Sequence, residues 1–326
     1  MTFAVVGAVG STATTLDTLL RLGADVRGVA GLSPQRATDN SDFVDIAELG
    51  RQKGVAARSF DSVNEADNVR YLQDLGADYI LFVGLSQIVR SQARAAAARM
   101  AVGLHPTALP RFRGRAALSW LILLGIEESS VTLFELQDEP DSGAILVQQP
   151  YSIEKSDYLG DVMTSVNTAT SVAVSKLVRS VEANSLKPMP QAAGKASYLL
   201  RRVPPDGLID FADSGEQIER LIRSVSKPFP GAYCYYEGRR ITFWRGHQGQ
   251  LAVAIYGRPG QIINVDGDGI HILLTCSSEL VIADFDADEP THFRPGHCFG
   301  TREQDELWVL RARVEALETA LRRLQG

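Results

Sequence analysis

Tyr79-Ile80-Leu81-Phe82-Val83 is a continuous apolar run bounded by Gly76 and Gly84, and no other stretch constrains the fold of this chain as tightly. A strand with one face in water alternates apolar and polar residues, because successive side chains point to opposite faces. A run without alternation must be covered on both faces, as in a parallel sheet between helices. The flanking sequence agrees. Residues 3–7 form a shorter apolar run, followed by Leu16, Leu19, Leu20 and Leu22 at helical spacing, and residues 26–29 read as the next strand. Helical patterns run from Ile46 and Leu49 to Gly54 and again over 66–75, the latter with Leu72 and Leu75 inward. Strands alternating with helices predict a doubly wound α/β sheet in the first half of the chain.

Near 183–195 this pattern gives way to a polar stretch containing Pro188 and Pro190, which predicts a domain boundary. A helix over 218–225 then precedes short strand-like runs at 232–236, 240–244, 251–256, 261–265, 270–276 and 279–283, the pattern of a small barrel or sandwich. In the last segment Leu307, Leu310, Val314, Leu317, Leu321 and Leu324 recur at alternating steps of 3 and 4. That is the spacing of a coiled-coil seam, and two readings stand: a helix packed on its own domain, or a homodimer contact.

Composition narrows the partners. Across 326 residues, 39 acidic against 33 basic side chains give a formal charge of −6, a poor basis for broad nucleic-acid binding. No apolar run approaches the ~20 residues that span a bilayer, so no membrane association is expected. The first residues read as a strand, not a leader peptide. Cys234, Cys276 and Cys298 form no CxxC pair, so we expect reduced thiols, no bound metal and a cytoplasmic setting.

Chemistry concentrates in three places. Gly7-Ala8-Val9-Gly10-Ser11-Thr12 links the first strand to the first helix, and Gly10, Ser11 and Thr12 could hold an anionic part of a substrate at that helix start. It lacks the GxGxxG of a dinucleotide site. His105 lies in a segment ending Arg111-Phe112-Arg113-Gly114, expected to be a loop at the carboxyl edge of the sheet, where α/β sheets place their sites. Asp138-Glu139-Pro140-Asp141-Ser142-Gly143 follows a strand over 131–136, and its carboxylates are open to solvation, to a metal or to pairing with a histidine from a neighbouring loop. Arg111 is expected to brace against this acidic turn, while Arg113, with Gly114 beside it, is a candidate substrate contact.

His105-Pro-Thr-Ala-Leu-Pro-Arg-Phe-Arg-Gly114 and Asp141-Ser-Gly-Ala-Ile-Leu146, with His and Asp 36 positions apart, resemble the paired motifs of folate-dependent formyltransferases. The stretch 201–211, Ile222-Arg223 and Pro228-Phe229-Pro230-Gly231 look like the start of that family's C-terminal barrel, in the version of enzymes that N-formylate nucleotide-linked amino sugars. The resemblance implies a Rossmann-like formyltransferase domain over 1–185, a linker over 186–205, a small OB-like β-barrel over 206–300 and a terminal helix over 301–326. It implies that N10-formyltetrahydrofolate donates the formyl group to an amine. His105 would support the oxyanion and proton movement, and Asp141 would orient the histidine. Pterin binding would fall to Leu85, Ser86, Gln87, Ile88 and Val89 and to Leu136, Gln137, Asp138, Glu139 and Pro140.

One position departs from the pattern. The family has Asn-x-His, where the asparagine amide helps hold the formyl oxygen; this chain has Gly103-Leu104-His105. Ser86, Gln87, Thr107 or a backbone N–H freed at Gly103 are the candidate replacements. The expected acceptor is a small amine, above all an amino sugar on a nucleotide diphosphate. A tRNA acceptor fits less well, because Arg36, Arg51, Lys53 and Arg58 in 33–60 are diluted by Asp39, Asp42, Asp45 and Glu48. A hydroxylamine-type amine and a non-catalytic folate-binding role are the remaining alternatives.

Overall fold

The computed structural model describes residues 1–37 and 41–325, apart from the side chains of 193, 302, 304, 305, 308, 309, 319, 320 and 323–325. Asp39 therefore lies outside the described residues, as does the Leu324 side chain. The chain divides into two compact units, Met1–Leu121 with Ile126–Arg201, and Ile122–Gly125 with Arg202–Gly326.

The first unit runs β1 (Thr2–Gly7), α1 (Gly10–Arg21), β2 (Asp25–Leu32), α2 (Ile46–Gln52), β3 (Ala57–Phe60), α3 (Ala66–Asp74), β4 (Tyr79–Val83), α4 (Ser91–Arg94) and β5 (Met100–His105). There follow β6 (Arg113–Gly114), α5 (Ala117–Leu123), β7 (Glu128–Glu135), β8 (Ile145–Ser152), α6 (Leu159–Glu182) and β9 (Tyr198–Leu199). The main sheet has the order β3-β2-β1-β4-β5-β7-β8. Its first five strands are parallel, and all five residues of β4 are buried, as the unbroken apolar run requires.

Three expectations need correction. The sheet is not parallel throughout: β7 and β8 extend it as an antiparallel edge. His105 is not in a loop but is the last residue of β5, preceded by a helix of only four residues. The strand was missed because Met100-Ala101-Val102-Gly103-Leu104 has one β-branched residue and an internal glycine. The polar stretch read as a linker is tied into the first unit up to Arg201: Met189 bridges Ile145, and β9 pairs with β6.

The second unit holds α7 (Gly215–Val225), β10 (Ala232–Tyr236), β11 (Arg239–Gln250), β12 (Ile262–Asp266), β13 (Gly269–Thr275), β14 (Ser278–Ala287) and α8 (Arg302–Gln325). Its antiparallel sheet has the order β10-β11-β14-β13-β12. Residues 298–300 bridge both ends, Gly300 to Tyr235 on β10 and Cys298 to Gln261 beside β12, and so cover the two open edges. Phe299 between them packs on Tyr236, Phe243 and Phe293 at ring distances of 5.4, 5.5 and 5.6 Å. The run at 251–256 is not a strand, because β11 extends to Gln250 and uses up the length expected for two.

Candidate active site

His105, Thr132 and Gln148 stand directly opposite one another on β5, β7 and β8 and therefore share one face of the sheet. The segment from Pro106 to Phe112 is pinned to this row and its neighbours. Thr132 Oγ1 donates to Thr107 O at 2.6 Å, Gln148 Nε2 to Leu109 O at 2.7 Å, and the buried Tyr151 hydroxyl to Pro106 O at 2.7 Å. Burial pushes the Tyr151 phenol well above its ordinary range, so it stays a donor.

At the far end of the loop Phe112 has φ 63°, a left-handed conformation unusual for a bulky side chain. Its carbonyl lies 2.8 Å from His105 Nε2. A carbonyl only accepts, so Nε2 carries the hydrogen, and Nδ1 is the ring's basic edge. Nδ1 faces Asp141 Oδ2 at 3.9 Å, with the histidine side chain 8% and the aspartate side chain 19% exposed. Asp141 is also left-handed, at φ 56°, which aspartate tolerates. Its Oδ2 accepts the Gly114 amide at 2.9 Å. Gly114 has φ 112°, and a Cβ there would lie 2.3 Å from Leu199 O, so a side chain at 114 would displace the amide that aims Asp141.

The brace expected of Arg111 falls to Arg113 instead. Arg113 is buried and braces the acidic turn: Nη2 donates to Gln191 Oε1 at 2.8 Å, while Nη1 lies 3.4 Å from Glu139. Arg111 is exposed and lies over the Phe112 ring. Gln191 continues the brace, its Nε2 donating to the carbonyls of Asp141 and Gly143 at 2.8 and 2.7 Å. Sequence reasoning missed Gln191, which sits in a stretch with no regular pattern.

The two segments expected to hold the pterin are joined by Arg94, also missed. Its Nη1 donates to Val89 O at 2.8 Å and its Nη2 to the Asp138 carboxylate. Gln87 anchors the first segment: Oε1 accepts Val63 N–H at 2.7 Å and Nε2 donates to Asp61 O at 3.0 Å. Asn64 holds Ile88 O at 2.9 Å, and the Ile88 side chain itself is 68% exposed. In the second segment Leu136 is anchored to Ala101 O, and Gln137 and Pro140 are exposed. Each carboxylate of this turn has its own partner: Arg94 for Asp138, Arg113 for Glu139 and the Gly114 amide for Asp141.

Gly103 pairs in register with Phe134 and shares the His105 face. A Cβ at 103 would lie 2.7 Å from both Phe134 Cζ and Leu136 Cδ2, so these side chains fill the space the family's asparagine would need. Among the candidate replacements, Gln87 is engaged as above, and buried Thr107 donates to Arg111 O at 2.9 Å. Gly103 itself lies within the ladder between Phe82 and Phe134, so no amide is freed. Among the described hydrogen bonds, the Ser86 hydroxyl has no partner.

Thr12 is also corrected. Its buried hydroxyl donates to Val83 O at 2.8 Å and accepts Val9 N–H, so it joins α1 to β4 instead of meeting a ligand. Gly10 N–H donates to Asp42 at 3.2 Å. Ser11 and Asp42 line a cavity of about 170 Å³ with Val9, Leu104, Pro106 and Asn167, beside the His105 end of β5. Desolvation raises the Asp42 pKa, partly offset by the Gly10 bond, and no basic side chain pairs with it among the described residues. Among the described residues no cluster suits a metal ion, and no helix is long and apolar enough to cross a membrane.

Among solved structures, a HypX variant from Aquifex aeolicus is 15% identical, with a TM-score of 0.64 over 86% of this chain and 45% of its own. This chain thus spans about half the length of HypX. An N-formyltransferase from Helicobacter canadensis in complex with folinic acid and dTDP-3-aminofucose is 14% identical, with a TM-score of 0.62 over 86% of this chain and 98% of its own. A methionyl-tRNA formyltransferase from Clostridium thermocellum is 16% identical, with a TM-score of 0.58 over 89% of this chain and all of its own. At these identities the likeness is one of fold. Sequence models of known families are more specific: one described as formyl transferase matches residues 25–178, and one described as its C-terminal domain matches 203–287. With both matched in order over well more than half its length, this chain belongs to the formyl transferase family of enzymes, whose members transfer formyl groups.

Proposed function

We propose that this enzyme moves the formyl group of N10-formyltetrahydrofolate onto a small amine, in particular an amino sugar carried on a nucleoside diphosphate. The observation that carries the reading is the facing of His105 and Asp141 at 3.9 Å, each oriented by a backbone group. In the reaction the neutral amine attacks the formyl carbon, whose oxygen takes up negative charge. The bond from that carbon to N10 then breaks, and N10 gains a proton. A group that takes one proton and returns another suits this sequence. With its Nε2 hydrogen on Phe112 O, His105 accepts the amine proton at Nδ1, and Asp141 stabilises the imidazolium. Ser86, whose hydroxyl is uncommitted, is the proposed donor to the oxyanion in place of the asparagine.

The donor reading is supported by the two loops joined through Arg94 and by Ile88 of the first, an exposed apolar side chain suited to a flat ring. For the acceptor, a desolvated carboxylate in a small cavity suits an ammonium or hydroxyl group, as an amino sugar offers. A tRNA surface is disfavoured: in 33–60, Arg36, Arg51 and Lys53 already pair with Asp61, Glu48 and Asp17. The cysteines are free, which fits a reducing compartment, and we place the reaction in the cytoplasm.

The test is tetrahydrofolate release from N10-formyltetrahydrofolate with nucleotide-linked 3- and 4-amino sugars, N-hydroxyornithine or methionyl-tRNA. Release driven by an amino sugar and abolished by His105→Ala is the expected result. Release driven only by methionyl-tRNA would replace the acceptor assignment. Folate binding without release under any amine would reduce the protein to a binding role.

A further inference from the structure

We infer that α8 is the contact between two copies of this chain, which join as a parallel, in-register, two-stranded coiled coil. The helix presents its seam to solvent: Leu307, Leu310, Val314, Leu317 and Leu321 are each more than half exposed. Such a stripe on a 24-residue helix is not stabilised by propensity alone; it needs a facing surface. The spacing names that surface. Leu307, Val314 and Leu321 occupy one core position of successive heptads, and Leu310, Leu317 and Leu324 the other, with leucine throughout the second set.

Charge selects the occupant and its direction. The positions flanking the seam are Glu306, Arg311, Arg313 and Glu318, all exposed. In a parallel pair, each residue just before the first core position faces the residue five places further along the other helix. Glu306 then meets Arg311 of the second copy, Arg313 meets Glu318, and symmetry doubles both. All four contacts are of opposite sign. An antiparallel pair with full overlap keeps only Arg311 with Glu318 and sets Arg313 against Ala320. Glu318 also lies 3.7 Å from Arg322 of its own helix, an outward contact that the parallel pairing leaves in place. A membrane surface is a weaker match, because the polar faces carry both signs instead of a basic excess.

Sedimentation equilibrium of the full chain at micromolar concentration should give twice the monomer mass. Leu310→Glu with Leu317→Glu should give monomers with an unchanged unfolding midpoint, because both side chains are exposed in the single chain. A monomeric native protein, or a dimer that survives the double substitution, would overturn the inference. Direction is read by oxidation in a Cys276→Ser background. Leu310→Cys should cross-link to itself, whereas cross-linking only when it is mixed with Leu321→Cys would establish the antiparallel arrangement and overturn the parallel one. Reversing Arg311 and Arg313 to Glu should weaken the dimer at least tenfold, and mixing that variant with Glu306→Arg, Glu318→Arg should restore association as a heterodimer.

Discussion

Restoring the family's asparagine by Gly103→Asn should damage this protein. Carbon atoms in contact sit about 3.5–4.0 Å apart. A Cβ at 103 would lie 2.7 Å from Phe134 Cζ and from Leu136 Cδ2, and 2.9 Å from Phe134 Cε1. Each contact is therefore short by roughly 1 Å against that spacing. The leucine has some room, being only half-buried. The phenyl ring does not: Phe134 is 2% exposed and locked among Leu109 and Ile145. Overpacking of this kind costs about 1–3 kcal/mol. A carboxamide forced among apolar neighbours without a partner adds about 1–3 kcal/mol. Each kcal/mol moves the midpoint of a unit this size by about 2–4 °C, so the summed cost of about 2–6 kcal/mol predicts a fall of roughly 4–24 °C for Gly103→Asn.

The paired variant separates steric exclusion from general damage. Phe134→Ala alone should cost about 3–5 kcal/mol as a core truncation. Combined with Gly103→Asn it should cost less than the sum of the two by at least about 1 kcal/mol, because the new side chain enters the space the ring vacates. If the amide then reaches the formyl oxygen, single-turnover release should rise relative to Phe134→Ala by up to about 10²–10³-fold. The assays are calorimetry and rapid-quench folate release. A Gly103→Asn protein with an unchanged midpoint and faster turnover would refute the reasoning, since it would mean that the ring and the leucine do not hold that space.

Other expectations follow from single contacts. Arg94→Met should weaken folate binding about 10–100-fold, the worth of hydrogen bonds from a charged donor, while kcat at saturation changes little; titration calorimetry reads the first and steady-state rates the second. Ser86→Ala should lower kcat by about 10²-fold with folate affinity retained, if its hydroxyl holds the oxyanion. Asp42→Asn should raise KM for the amine and leave the folate Kd alone; a change in the folate Kd instead would place the carboxylate with the donor. In the second unit, burial lowers the pKa of His271, but Glu279 at 2.9 Å and Asp266 at 3.1 Å outweigh it and raise it above 6.5. The folded state thus holds that proton more tightly. The stabilisation is complete below the unfolded pKa, near 6.5, and is lost as pH rises through the higher folded value. Hydrogen exchange in β13 and β14 should show the native chain's advantage over His271→Asn shrinking over that interval.

What the sequence disclosed and what it hid divide along a physical line. Buried, repetitive features were legible: the unbroken apolar run of β4, the helical leucines of α1 and the short strands of the second unit, the run at 251–256 excepted, follow from burial and period alone. His105 and Asp141 were singled out by their resemblance to paired family motifs, and the fold brings the two side chains to 3.9 Å. The antiparallel turn at β7 was not legible, since strands buried on both faces read alike whichever way they run. Neither were Arg94, Arg113 and Gln191, whose value depends on which carbonyls and carboxylates they reach. Arg111 and Arg113 are two residues apart in sequence, yet one lies on the surface and the other is 5% exposed beneath the site.

The same distinction explains how the site can carry glycine at 103, where the family pattern has asparagine, and keep its geometry. Nothing that aims His105 or Asp141 passes through residue 103. The histidine is set by Phe112 O, and that carbonyl by a loop tied to Thr132, Gln148 and Tyr151 on the antiparallel edge. The aspartate is set by Gly114, and its turn by Gln191 and Arg113. Position 103 bears only on the space in front of the histidine, where Phe134 and Leu136 have taken the room. A donor reaching that face from another strand would serve the oxyanion as the amide does. Phe134→Asn is the sharpest test of that idea. It places an amide from the neighbouring strand on the same face, beside a glycine that leaves it space. Recovery of single-turnover rate in a Ser86→Ala background would show that the site asks for a donor on that face and not for one particular strand. No recovery, with the fold intact by calorimetry, would show that the oxyanion lies out of reach of β7.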